Sequence, residues 1–82
     1  MDKTAFISWI EANTNFKRVR ANSDTHWASK STNHFPEKLE LRIDEVIFTW
    51  ENDRQGSPDT THSTYSFDIF VSKYKEHSLY DN

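Results

Sequence analysis

Between Lys3 and Ala12 the apolar residues Phe6, Ile7 and Ile10 recur at the spacing of one helical face, and Trp9 widens that stripe. Asp2 or Thr4 stands where a side-chain oxygen can cap the free amides of a helix start. Asn13-Thr14-Asn15 supplies a stop, because asparagine tolerates the left-handed backbone common just past a helix. The period then becomes two. Phe16-Lys17-Arg18-Val19-Arg20-Ala21 predicts a strand with one charged face, and Asn22-Ser23-Asp24 is turn chemistry. Thr25 to Ser29, centred on Trp27, predicts the returning strand. Lys30 to Pro36 predicts a loop, with Phe35 held extended by the proline after it.

The clearest alternation follows. Leu39, Leu41 and Ile43 alternate with Glu40 and Arg42, which gives one buried and one solvated face. At Val46, Phe48 and Trp50 the parity reverses. Asp44-Glu45 lacks the glycine that two-residue hairpins favour, so a bulge within one long strand is the expected cause. Asn52 to Thr61 holds Pro58 and the single glycine, Gly56, and predicts a loop. Beyond it Tyr65, Phe67, Ile69 and Val71 alternate with Ser66, Asp68 and Ser72, which predicts a second long strand paired antiparallel with the first. Phe70 and Tyr74 add apolar area to its other face, and His77 to Asn82 is expected to fray. The sum is an α+β protein: an N-terminal helix on one face of a three- or four-stranded antiparallel meander.

With 82 residues the chain has room for one domain, taken as residues 1–82. A fold of this size has a thin core, and without cysteine it has no disulfide to staple it. Six Phe, three Trp and three Tyr compensate, since each ring buries about 150–250 Å². Twelve rings exceed what a thin core hides, so one or two of Trp27, Trp50, Tyr65, Tyr74 and Tyr80 are expected at the surface. The start shows no basic segment followed by an apolar run, no lipidation motif occurs, and apolar runs stay as short as Val46-Ile47-Phe48. A cytoplasmic protein without a membrane span is the expectation.

Candidate chemistry narrows the picture mainly by exclusion. The lack of cysteine removes thiolate zinc sites, iron–sulfur clusters and cysteine nucleophiles. One glycine cannot build a P-loop or a dinucleotide fingerprint. His26, His34, His62 and His77 have no zinc-clamp spacing, and no Gly-x-Ser-x-Gly elbow supports a catalytic serine. Asp44-Glu45 and Glu51 with Asp53 are paired carboxylates, but a domain this small has little volume for an enclosed pocket. A non-enzymatic protein without cofactor or metal is expected.

Charge is unevenly spread over a formal net of −3. Residues 14–42 carry six basic and three acidic groups, whereas residues 43–82 carry three basic and eight acidic ones. The acidic cluster Asp44, Glu45, Glu51, Asp53 and Asp59, with Trp50 as an aromatic anchor, predicts a protein-binding region on the second hairpin. Lys17, Arg18, Arg20 and Lys30, with Trp27 as a stacking ring, define the alternative, a nucleic-acid contact. In size and composition the chain resembles the small acidic inhibitors of bacteriophages and mobile elements, and bacterial toxin-immunity proteins. The resemblance implies a stoichiometric inhibitor docking on a larger enzyme or nucleoprotein complex. A small nucleic-acid-binding regulator and a self-pairing homodimer or larger structural homo-oligomer are the alternatives.

Overall fold

The computed structural model describes residues 1–30, 36–54 and 57–80. Helix α1 spans Lys3–Asn13 and starts where expected: Asp2 Oδ1 accepts the Ala5 amide at 2.8 Å. Its end is not left-handed. Thr14 is extended, and both its amide and its hydroxyl donate to the Ile10 carbonyl, at 3.0 and 2.8 Å. Asn13 Nδ2 donates to the Trp9 carbonyl at 3.0 Å. Side chains therefore satisfy the last carbonyls in place of an asparagine in the left-handed region.

Five described strands follow as an antiparallel meander in sequence order: β1 (Lys17–Arg18), β2 (His26–Lys30), β3 (Pro36–Leu41), β4 (Glu45–Arg54) and β5 (Ser57–Ser66). The expected first strand shrinks to two residues. Beyond Arg18 only the Val19 amide reaches the partner, donating to His26 O at 3.0 Å, before Arg20–Asp24 turn the chain. Most of the loop expected between Lys30 and Pro36, with Phe35, lies outside the described residues.

Two strand expectations fail for local reasons. The parity reversal at Asp44-Glu45 is a hairpin turn, not a bulge: Leu41 pairs with Val46, and the Arg42 amide donates to Glu45 O at 2.8 Å. Ile43 sits at that tip and is 89% exposed, which removes it from the core stripe. Among the described residues positive φ occurs only at His77, so this turn forms without the left-handed residues that favour glycine. Second, the expected loop from Asn52 to Thr61 is strand at Asn52–Arg54 and Ser57–Thr61, and Gln55 and Gly56 lie outside the described residues. Strand pairing continues through Asn52↔Asp59 to Arg54↔Ser57, so the polar residues extend the hairpin.

The alternating stretch after Tyr65 is a helix. Helix α2 spans Phe67–Lys75, with Ser66 as N-cap accepting the Ile69 amide at 3.2 Å. Phe67, Phe70, Val71 and Tyr74 form the i, i+3, i+4, i+7 face that packs inward, and Ile69 is half exposed. Asp68 in the first turn and Lys73 and Lys75 in the last complement the helix dipole. At the C-terminus His77 adopts φ 56°, His77 N donates to Tyr74 O at 3.1 Å, and Ser78 N donates to Lys73 O at 2.8 Å. That pair of bonds is a Schellman closure with histidine in the position glycine prefers.

Both helices cover the same face of the sheet. Trp27, Leu39, Leu41, Val46, Phe48 and Trp50 point at them and meet Phe6, Ile10, Phe67 and Phe70 in one apolar cluster. Phe70 is the centre of the ring contacts, with centroids 5.5 Å from Phe6, 6.0 Å from Phe48 and 6.2 Å from Tyr65. The helices lie side by side in the same direction. Met1 N meets Asp68 Oδ2 at 2.8 Å at one end, and Tyr74 Oη donates to the Asn13 carbonyl at 3.0 Å at the other. Residues after α2 stay docked up to Tyr80. Leu79 is buried, its carbonyl accepts from Tyr65 Oη at 3.1 Å, and the Tyr80 ring packs 5.6 Å from Trp50. The fraying expected after His77 is thus not seen through Tyr80.

Candidate interaction surface

Since the helices take one face, the other face of the sheet is open among the described residues, and its composition follows from register alone. Cross-strand pairing aligns Lys17, Ala28, Lys38, Thr49 and His62 in one row and His26, Glu40, Ile47 and Thr64 in the next. The β1–β3 side carries cations that are partly internally paired. Glu40 holds Arg42 at 3.0 Å and His26 at 3.5 Å. Lys17 and Lys38 are exposed on either side of Ala28.

The β4–β5 side differs. Glu45, Ile47, Thr49 and Glu51 share the open face, with Thr60, His62, Thr64 and Ser66 opposite them on β5. Thr49 Oγ1 and His62 Nδ1 are 3.0 Å apart, which fixes that pair. Asp44, exposed in the β3–β4 turn, and Glu45 and Glu51 at the two ends of the row make no ion pair with any described residue. The result is a band of hydroxyls around Ile47 with a free carboxylate at each end, able to receive cationic groups of a partner. Backbone pairing places Asp53 and Asp59 farther along the same hairpin.

Two aromatic expectations are corrected. Trp50 is 3% exposed, stacked on Phe48 at 5.1 Å and capped by Tyr80, so it is a core ring and not a surface anchor. Its strand position explains this, because Trp50 shares parity with Val46 and Phe48. Trp27 is 1% exposed, and its Nε1 donates to the Asp24 carbonyl at 2.8 Å, so it has no face free to stack a base. Tyr80 is the half-exposed ring of the set.

Among the basic candidates, Lys17, Arg18 and Arg20 do not share one face. Arg18 is committed internally: its Nε donates to Asp24 at 2.9 Å, its Nη1 to Glu11 at 3.2 Å, and its guanidinium lies 4.6 Å from the Trp27 ring centre. The hydrogen bond to Asp24 is the main cause that holds its pKa above the usual arginine value. Lys17 lies on the open face, Arg20 is exposed in the turn, and Lys30 ends β2. Glu11, Phe16, Lys17, Arg18 and Trp27 line an open depression of about 180 Å³, below the volume of ordinary ligand pockets.

On the inner face, burial raises the Glu37 pKa above the usual carboxylate range against the lowering effect of a hydrogen bond from Tyr80. Burial and that same contact raise the Tyr80 phenol. The Trp50 indole N–H, close by, is buried without a hydrogen-bond partner. Sequence reasoning missed this corner because Tyr80, in the segment after α2, reaches Glu37 of β3 and Trp50 of β4 only in the folded chain. Among the described residues no three His, Asp or Glu side chains converge as a metal cage, and no helix is long and apolar enough to cross a membrane. Comparison with protein-family models, curated proteins and solved structures finds no match.

Proposed function

We propose that this chain is a non-enzymatic protein-binding module, in keeping with a stoichiometric inhibitor of a larger enzyme or nucleoprotein complex. One observation carries the reading: both helices cover one sheet face, and the open β4–β5 face presents Ile47, Thr49 and His62 between the free carboxylates of Glu45 and Glu51. Such a band suits a partner whose cationic groups bracket a flat contact. The nucleic-acid alternative draws less support, since Arg18 is held in internal pairs and Trp27 is buried.

The test is affinity capture with nuclease treatment, comparing the parent chain with Glu45→Lys/Glu51→Lys. The expected result is one protein at near-equal stoichiometry that survives nuclease and is lost with the double variant. Equal capture by the variant removes the interface from this face. Recovery of nucleic acid, with loss on Lys17→Glu/Lys38→Glu, moves the function to the basic side of the sheet.

A further inference from the structure

A meander leaves two edge strands, and here they differ sharply. β1 offers two residues, whereas β5 offers ten, Ser57–Ser66. Long edges are usually protected by charge, because their unpaired amides and carbonyls template another strand. β5 lacks that protection over most of its length. From Thr60 through Ser66 it carries no Asp, Glu, Lys or Arg, although charged residues are common elsewhere in a chain of net charge −3. Thr60, His62, Thr64 and Ser66 are exposed, and the flanking α2 leaves Ile69 51% exposed.

From this edge we infer that two copies of the chain join β5 to β5, antiparallel, into one continuous sheet across a two-fold axis. Parity limits the geometry. A register opposing residues of the same face keeps both helix layers on one side of the joined sheet, and centring it on His62 aligns nine residues of each strand, Pro58 to Ser66. Thr60 then faces Thr64 of the second copy, and Thr61 faces Ser63. From Thr60 to Ser66 no Asp, Glu, Lys or Arg of one copy faces a like charge of the other, so charge does not oppose the approach of two acidic molecules there. Threonines opposed across a strand pair also favour the contact. The pairing lies in the plane of the sheet, so the Glu45–Glu51 band stays open and is duplicated on one surface. The inference stands apart from the proposed function.

The test uses the full chain in light scattering over a concentration series. The parent should rise to twice the monomer mass. Thr60→Lys/Thr64→Lys and Thr60→Glu/Thr64→Glu should each stay monomeric with unchanged circular dichroism, because like charges now oppose across the axis. An equimolar mixture of the two should return to twice the monomer mass, a result that a misfolded variant cannot give. A parent that stays monomeric at every concentration overturns the inference and leaves the edge to another protein's strand. Dimers that persist in both variants, or a mixture that stays monomeric, overturn it equally.

Discussion

The exchange of strand for helix after Ser66 can be tested at two adjacent side chains. In a strand, Ile69 would share the core face with Phe67 and Val71, and Phe70 would point the other way. In α2 the order inverts: Phe70 is fully buried among five other rings and Ile69 is 51% exposed. Phe70→Ala removes a core ring whose loss costs about 3–5 kcal/mol. At roughly 0.05–0.15 kcal/mol per residue the whole chain has only about 4–12 kcal/mol, so this variant falls near or below the folding threshold. Phe70→Leu keeps most of the apolar volume and loses the ring contacts, a cost of about 1–2 kcal/mol. Ile69→Ala should change stability by about 0.5 kcal/mol or less, since alanine's helix propensity offsets the lost contact. Urea unfolding followed by tryptophan fluorescence reads all three, with an unchanged slope required for comparison. If Ile69→Ala proves more destabilising than Phe70→Leu, the helix assignment and the core built around Phe70 are both wrong.

Other expectations follow from single contacts. Ser66→Ala removes the cap on the Ile69 amide and should lower stability by about 1 kcal/mol, a melting shift of about 4–8 °C, whereas Ser66→Asp should retain most of it. His77→Gly should raise stability by about 1 kcal/mol in the same assay, because glycine holds φ 56° without the side-chain clash. Glu37 has a folded pKa above its unfolded value, so the native state binds the proton more tightly and the stability this gives is lost as pH rises through the folded pKa. Glu37→Gln, which can still accept from Tyr80, should therefore flatten the fall in stability that begins near the usual glutamate value of 4.5; an unchanged slope from pH 4 to pH 7 would remove Glu37 as its source.

The layers were legible because each rests on local periodicity. Phe6 and Ile10 mark the helix face, Leu39 and Leu41 the inner face of one strand, and Val46, Phe48 and Trp50 that of the next. The errors fall where two physical signals compete. Tyr65, Phe67, Ile69 and Val71 satisfy a period of two, but Phe67, Phe70, Val71 and Tyr74 satisfy 3.6 equally well. A serine cap and a charge order matched to the helix dipole decide between them. At Asp44-Glu45 the missing glycine argues against a turn, yet Leu41 and Val46 are cross-strand partners, which a reversal of the chain between them allows and a bulge does not. The polar residues from Asn52 to Thr61 predict a loop on propensity alone, because propensity does not register cross-strand pairing. In a two-stranded extension of a sheet, threonines and serines satisfy their backbone through the ladder and need no apolar face.

The same division of the sheet shapes the proposed binding surface. A thin core is filled here by concentrating the large rings on one side of the sheet, where Trp27 and Trp50 serve packing and are withdrawn from recognition. On the proposed reading, recognition falls to what remains: a hydroxyl-rich face around Ile47, free carboxylates at Glu45 and Glu51, and a long edge without formal charge from Thr60 to Ser66. Each is polar enough to be solvated in the unbound chain, so neither surface requires a large exposed apolar patch. Binding through such surfaces gains little from apolar area and draws mostly on charge and backbone pairing. Two consequences differ by surface. Contact at the carboxylate band should weaken as salt screens exposed charge, whereas strand pairing along the uncharged edge should change little over the same range.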